Sequence, residues 1–118
     1  MKTEIYNRPR LLWLGGGRYE LLNDLEYSID GKKLKVKKGF VTDFASVPRA
    51  LHWLFSRDSL QSRASIIHDY LYSTGIRSRK DSDVIFKNLL RNDYSSALTI
   101  ILMYLAVRIF GARRYKTD

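Results

Sequence analysis

The chain has 118 residues, contains no cysteine and carries a formal net charge of +9. This length suits one domain with a modest core, and the lack of cysteine excludes disulfides and thiolate metal sites. The longest apolar run, residues 97–107, is shorter than the roughly 20 residues of a membrane span, so it predicts a buried core helix. The N-terminal residues mix charged and apolar side chains and contain no signal-peptide segment.

The positive charge is spread over three places: residues 32–38, residues 77–80 and residues 113–116. Alternating lysines, as in the first of these, are typical of an exposed sheet edge. Nucleic acid is the less favoured partner, because the charge comes without a recognition motif. An anionic membrane surface or a partner protein explains the charge equally well.

The first part of the chain predicts antiparallel strands. Apolar and polar residues alternate in short segments at residues 11–14, 19–22, 25–29 and 33–37. Gly15, Gly16 and Gly17 indicate a turn, since glycine tolerates positive φ. The pair Asp30-Gly31 is a strong hairpin signal. We therefore expect a small antiparallel sheet within residues 1–38.

The second part predicts helices. Residues 39–57 form a transition in which Ser46 caps, and Pro48 opens, a short helix at residues 49–55. Three longer helices are predicted at residues 59–73, 79–91 and 96–110, the last capped by Ser95 or Ser96 and ended by Gly111. The expected fold is a single α+β domain with strands in residues 1–38, three helices in residues 58–111 and a basic tail at residues 112–118.

The segment around residues 65–86 predicts a helical hairpin. Gly75 suits the left-handed end of one helix, and Ser78 followed by Asp81 resembles a capping box for the next. His68 and Tyr72 share a helical face, and the antiparallel partner helix places Asp83 opposite them. With Asp69, a histidine, two carboxylates and a phenol are expected on one seam between apolar faces.

These residues suggest a catalytic role. Neutral His68 would act as a general base on a water, while Asp83 fixes its tautomer and stabilises the imidazolium. Asp69 would bind a cation that polarises a carbonyl or phosphoryl oxygen, and an all-oxygen site favours Ca²⁺. Asp43 is interpreted as a further ligand, as a partner of Arg49 or Arg79, or as an ordinary loop carboxylate.

A structural role is the alternative. Asp83 would then accept hydrogen bonds from His68 and Tyr72 only to hold the hairpin together. Solvent access separates the two interpretations. A catalytic site needs a water-accessible cleft beside His68, whereas a structural network should be sealed by Tyr70, Tyr72 and Tyr104.

Several sequence blocks resemble a small family encoded by tailed phages and prophages and catalogued only as a domain of unknown function. The blocks are G-F-V-T-D-F-A-S-V-P-R (residues 39–49), I-I-H-D-Y-L-Y (66–72), S-R-K-D-S-D-V-I-F (78–86) and M-Y-L-A-V-R-I-F-G (103–111). The resemblance implies a phage or prophage origin, and with it a location in the host cytoplasm or the virion. It implies no particular activity.

A second resemblance is local. H-D-x-x-Y (residues 68–72) followed by D-x-x-F (83–86) on an antiparallel helix is similar to the active-site helices of secreted phospholipases A2. It implies His68 as the base, Asp69 as a calcium ligand, Asp83 as the residue that orients His68, and Tyr72 bonded to Asp83.

Two functional classes therefore remain open. One is a hydrolase-like protein that uses a divalent cation and acts on ester-type bonds of the cell envelope, with lipid as one such substrate. The other is a non-catalytic virion or tail-assembly component, or an inhibitor of a host factor. The sequence alone sets neither the substrate nor the oligomeric state.

Overall fold

A computed structural model of the chain describes residues 1–44, 47–93 and 96–115. Its N-terminal part contains β1 (Thr3–Ile5), β2 (Leu11–Gly15), β3 (Arg18–Leu21), β4 (Leu25–Ile29), β5 (Lys32–Val36) and β6 (Val41–Thr42). Its C-terminal part contains a 3₁₀ helix (Arg49–Leu54), α1 (Arg57–Leu60), α2 (Arg63–Thr74), α3 (Arg79–Asp93), α4 (Ala97–Phe110) and a closing 3₁₀ turn (Gly111–Arg113). The predicted α+β class, with strands first and helices after, is confirmed.

The strands form two three-stranded antiparallel sheets, where the sequence predicted one. One sheet has the order β1-β4-β5 and the other β2-β3-β6. β4 follows β3 in the chain but pairs in the other sheet. Two side chains fix the turn between these strands: Asn23 Oδ1 accepts from the Arg10 amide at 2.6 Å, and Asp24 Oδ1 accepts from the Lys38 amide at 2.9 Å. The hairpin at Asp30-Gly31 is confirmed, and the lysine-rich β5 lies at a sheet edge.

The helix predicted at residues 59–73 is two helices. Ser62 interrupts it and caps α2, its side chain accepting from the Ser65 amide at 3.1 Å. Gly75 ends α2 in the left-handed conformation, with φ 63°, as expected. Ser78 caps α3 by accepting from the Asp81 amide at 3.1 Å. The proposed cap residues Ser46 and Ser95 lie outside the described residues, whereas Ser96 caps α4.

α3 lies at the centre of the helical part, where it packs against α2, α4 and β1. The core joins apolar side chains from both sheets to the inner faces of all three long helices, including Leu21, Leu25, Val36, Ile66, Ile67, Leu71, Ile85, Phe86, Leu89, Leu90, Met103 and Val107. α4 was predicted to be buried, but only one side of it faces this core, since half of its apolar residues are exposed. No helix in the described ranges is long and apolar enough to cross a membrane.

Candidate functional site

The hairpin of α2 and α3 brings His68, Tyr72 and Asp83 together. His68 and Tyr72 lie one helical turn apart on α2 and face Asp83 on α3. His68 Nε2 lies 2.7 Å from Asp83 Oδ1, and the Tyr72 hydroxyl donates to the same oxygen at 2.5 Å. Because an ionised carboxylate only accepts hydrogen bonds, His68 donates to Asp83 through Nε2.

Arg108 of α4 completes this group. Its Nη1 donates to Asp83 Oδ2 at 2.9 Å, so both oxygens of the carboxylate are engaged. Burial by itself would raise the pKa of Asp83, but the hydrogen bonds from His68, Tyr72 and Arg108 outweigh it and hold the pKa below its usual range. Asp83 is therefore ionised at neutral pH. We call these four residues the Asp83 network.

The charge of Asp83 also affects its neighbours. Burial, followed by the hydrogen bond to Asp83 and its negative charge, raises the pKa of the Tyr72 phenol well above its usual value. The hydrogen bond to Asp83 raises the pKa of the Arg108 guanidinium. Tyr72 and Arg108 are thus kept in their donating forms, which suits a stable network more than a proton-transfer chain.

Aromatic rings close around the imidazole. The His68 ring centroid lies 4.2 Å from that of Tyr72 and 4.5 Å from that of Phe86, and Tyr115 packs edge-on against Tyr72. His68 and Asp83 are both 0% exposed. The seal expected for a structural network is present, although Phe86 and Tyr115 join Tyr72 in place of Tyr70 and Tyr104.

The other two tyrosines named from the sequence lie elsewhere. Tyr70 packs edge-on against Phe40, with ring centroids 5.4 Å apart. Tyr104 lies beneath Lys87, whose Nζ is 4.8 Å from the ring centroid. Consecutive helical residues point about 100° apart. Tyr70 and Tyr72 are two residues apart and therefore lie on nearly opposite faces of α2.

For the same reason the side chain of Asp69, the residue after His68, points about 100° away from the His68 face of α2. The Thr42 hydroxyl of β6 donates to Asp69 Oδ2, and the same hydroxyl oxygen accepts from the Phe44 amide at 3.2 Å. The seam expected to hold both carboxylates therefore divides: Asp83 belongs to the buried network, and Asp69 joins α2 to β6.

Asp43 and Asp69 meet at a surface cavity of about 210 Å³, which Arg18, Tyr72, Ser73 and Arg114 also line. Arg114 Nη1 lies 3.3 Å from Asp43 Oδ2. Of the two arginines predicted as partners of Asp43, Arg79 instead donates to the Val107 and Arg108 carbonyls at the end of α4. Arg49 lines a second cavity together with Asp43. Phe44, directly after Asp43, has φ 52°, a strained conformation of the kind often found beside functional sites.

The described residues that line this cavity are poorly suited to bind Ca²⁺. Ca²⁺ takes six to eight oxygen ligands, and within residues 1–44, 47–93 and 96–115 no group of three or more carboxylate or histidine side chains could hold a metal ion. The cavity is also lined by Arg18 and Arg114, whose charges oppose cation binding.

A larger cavity of about 530 Å³ is also lined in part by Asp43 and was not expected from the sequence. Its lining combines cationic and aromatic side chains, among them Tyr19, Arg49, His52, Phe55 and Arg57. Nε2 of His52 lies 2.9 Å from the Val47 carbonyl oxygen.

Sequence reasoning missed one member of the Asp83 network, Arg108. One signal could have revealed it, because Arg108 is the single charged residue in α4. A lone charge in an apolar helix is costly to bury unless a counter-charge faces it.

The protein is an α+β protein in which two sheets are followed by a helical hairpin. The candidate residues His68, Tyr72 and Asp83 lie between the two helices of that hairpin. The chain belongs to a family described as "Protein of unknown function (DUF1353)", whose sequence profile matches residues 19–107. The expectation of an uncharacterised family is thus confirmed. Comparison with curated proteins and with solved structures gives no match.

Proposed function

We propose that this chain is a non-catalytic, phage- or prophage-encoded protein that acts by binding other proteins, as a virion or tail-assembly component or as an inhibitor of a host factor. One observation carries the proposal: His68 and Asp83 are 0% exposed, while both Asp83 oxygens are engaged by His68, Tyr72 and Arg108. A general base must reach its substrate, and this imidazole is enclosed by rings. The phage origin rests on the sequence resemblance.

The Asp83 network has a sufficient structural role. It joins α2, α3 and α4 through one buried carboxylate, and hydrogen bonds to a charged group are each worth about 1.5–3 kcal/mol. Removing one partner of a buried ion pair is costly, because the remaining charge is left without compensation. These residues therefore have a reason to be present without any reaction.

The test uses a histidine substitution that separates structure from catalysis. Glutamine places an amide N–H near the position of Nε2, so His68→Gln can keep the hydrogen bond to Asp83 but cannot act as a base. We expect this variant to restore infectious particles to a phage that carries the family gene and has had it deleted. His68→Leu, which loses the bond, should fold less stably and restore fewer particles.

The opposite result would be a His68→Gln protein that unfolds at the wild-type temperature and yet restores no particles. Thermal unfolding with and without Ca²⁺, Mg²⁺, Mn²⁺ and Zn²⁺ supplies a second readout, because a ligand that binds only the folded state raises its stability. We expect no cation to stabilise the wild type more than Asp69→Asn. A cation effect lost in Asp69→Asn would contradict the non-catalytic proposal.

The hydrolase is the second candidate, and a specific observation favours it. Asp83 holds His68 through Nε2 while Tyr72 donates to the same carboxylate, the arrangement that the phospholipase A2 resemblance implies. Residues around His68 would have to open to admit a substrate. Release of fatty acid from phospholipid vesicles with Ca²⁺, lost in His68→Gln, would select this candidate.

A further inference from the structure

The outer side of α4 exposes a continuous apolar surface. Five large apolar side chains on this side are between 37% and 67% exposed: Leu98, Ile101, Leu102, Leu105 and Ile109. We call these five residues the α4 outer face. Apolar residues scattered singly over a surface are normal, whereas a contiguous patch of several hundred Å² on a monomer is often a functional surface.

The spacing along this face suits another helix. Leu98, Leu102, Leu105 and Ile109 are separated by four, three and four residues, the repeat that forms a seam in helix–helix packing. The opposite side of α4 is already buried in the core through Ile100, Met103, Ala106 and Val107. The outer face is therefore additional to what the fold of one chain requires.

We infer that the α4 outer face binds the same face of a second copy of the chain, with the two helices antiparallel about a two-fold axis. Leucine and isoleucine offer somewhat less area than the roughly 150–250 Å² of an aromatic side chain, so five that are about half exposed supply roughly 450 Å² per copy. Two copies bury about 900 Å², just below the roughly 1,000 Å² of a stable specific interface, which suits a weak, concentration-dependent pairing. A two-fold contact is the commonest way to pair identical surfaces.

Charge favours the antiparallel arrangement and a protein partner. Arg113 and Arg114 follow the C-terminal end of α4 and are exposed. Antiparallel packing separates these two basic ends by the length of a 14-residue helix, about 21 Å, well beyond the roughly 8 Å over which charges act at physiological salt. A lipid-binding helix carries several Lys or Arg residues on a polar face opposite its apolar face, whereas the one charged residue of α4, Arg108, turns inward to Asp83.

Sedimentation velocity over a micromolar concentration series tests the pairing. We expect the wild-type mass to approach twice 13.8 kDa and the Leu105→Lys protein to stay at the single-chain mass at every concentration. Ile76→Lys is the matched control, because it makes the same kind of change at a 63% exposed apolar residue between α2 and α3. It should dimerise as the wild type does.

Crosslinking tests the orientation, since the chain has no cysteine of its own. An antiparallel seam centred between Leu102 and Leu105 places Leu98 of one copy beside Ile109 of the other. A mixture of the Leu98→Cys and Ile109→Cys proteins should therefore oxidise to a mixed dimer faster than either protein alone. Faster self-crosslinking of Leu98→Cys would overturn the antiparallel arrangement.

Three further outcomes would overturn the inference. The wild type could remain at the single-chain mass throughout the series, or Ile76→Lys could dissociate the dimer as Leu105→Lys does. Alternatively, single chains could co-sediment with phosphatidylserine vesicles and lose this binding in Leu105→Lys, which would assign the face to a lipid surface. Far-UV circular dichroism of each variant confirms that a change in mass does not reflect unfolding.

Discussion

Gly111 offers a direct test of the Asp83 network from outside it. A Cβ at this position would lie 2.7 Å from the Tyr72 hydroxyl oxygen and 3.3 Å from a ring carbon. The backbone of Gly111 has φ −77°, which alanine adopts freely. Gly111→Ala should therefore act through the clash alone, by pushing a phenol that is 3% exposed away from Asp83.

The magnitude follows from the contacts. Overpacking a filled site costs about 1–3 kcal/mol, and the weakened bond to an ionised carboxylate is worth up to about 1.5–3 kcal/mol. Restricting the unfolded chain by replacing glycine offsets about 0.4–1 kcal/mol. We expect Gly111→Ala to lower the free energy of unfolding by about 2 kcal/mol.

A double-mutant cycle with Tyr72→Phe isolates the cause. Tyr72→Phe removes the oxygen that the new methyl group would meet, at a cost of about 1.5–3 kcal/mol for the lost hydrogen bond. Gly111→Ala in that background should cost less than about 0.5 kcal/mol, because only ring-carbon contacts remain tight. Urea unfolding of the four proteins gives each free energy. Additive costs, within about 0.5 kcal/mol, would refute the reasoning.

Three other changes test separate contacts. The folded-state pKa of Asp83 is lowered. Its carboxylate therefore stabilises the fold fully above the unfolded pKa of about 3.9, and this contribution is lost as the pH falls through the folded pKa. Urea unfolding at pH 7 and pH 3 should show that the wild type loses its advantage in unfolding free energy over Asp83→Asn as the pH falls. Arg63 donates twice to Asp93 Oδ1 with little exposure, so Asp93→Ala should cost about 2 kcal/mol in the same assay. Thr42→Val removes the hydroxyl that Asp69 accepts from and should cost about 1–2 kcal/mol, measured by thermal unfolding; an unchanged midpoint would show that Asp69 does not depend on this bond.

Local signals account for the parts of the fold that the sequence predicted well. The bounds of β4 agree with the alternation read from residues 25–29, and the Asp30-Gly31 turn joins it to β5 as expected. Strand partners were not predictable in the same way. β1 pairs with β4, and the Asn92 side chain of α3 accepts from the Ile5 amide at 3.3 Å. Such contacts join residues far apart in sequence, where periodicity carries no information.

The candidate site shows the same difference between local contacts, which the sequence predicts, and long-range contacts, which it does not. His68, Tyr72 and Asp83 meet because one helical turn and the Gly75 turn fix their positions locally. Asp69 was expected on the same seam as a cation ligand, but it lies on another face of α2, where it accepts from the hydroxyl of Thr42. A hydroxyl from a short strand gives no sequence signal of its own.

The inward position of Arg108 connects the buried network to the α4 outer face. α4 is apolar on both sides, so its hydrophobicity alone does not decide which side faces the core. Its one charge meets Asp83, and its final carbonyls meet Arg79. Both contacts favour one rotation of the helix and so help to decide which apolar side faces the core. The Asp83 network therefore accounts for the exposure of Leu98, Leu105 and Ile109 without any reaction at His68.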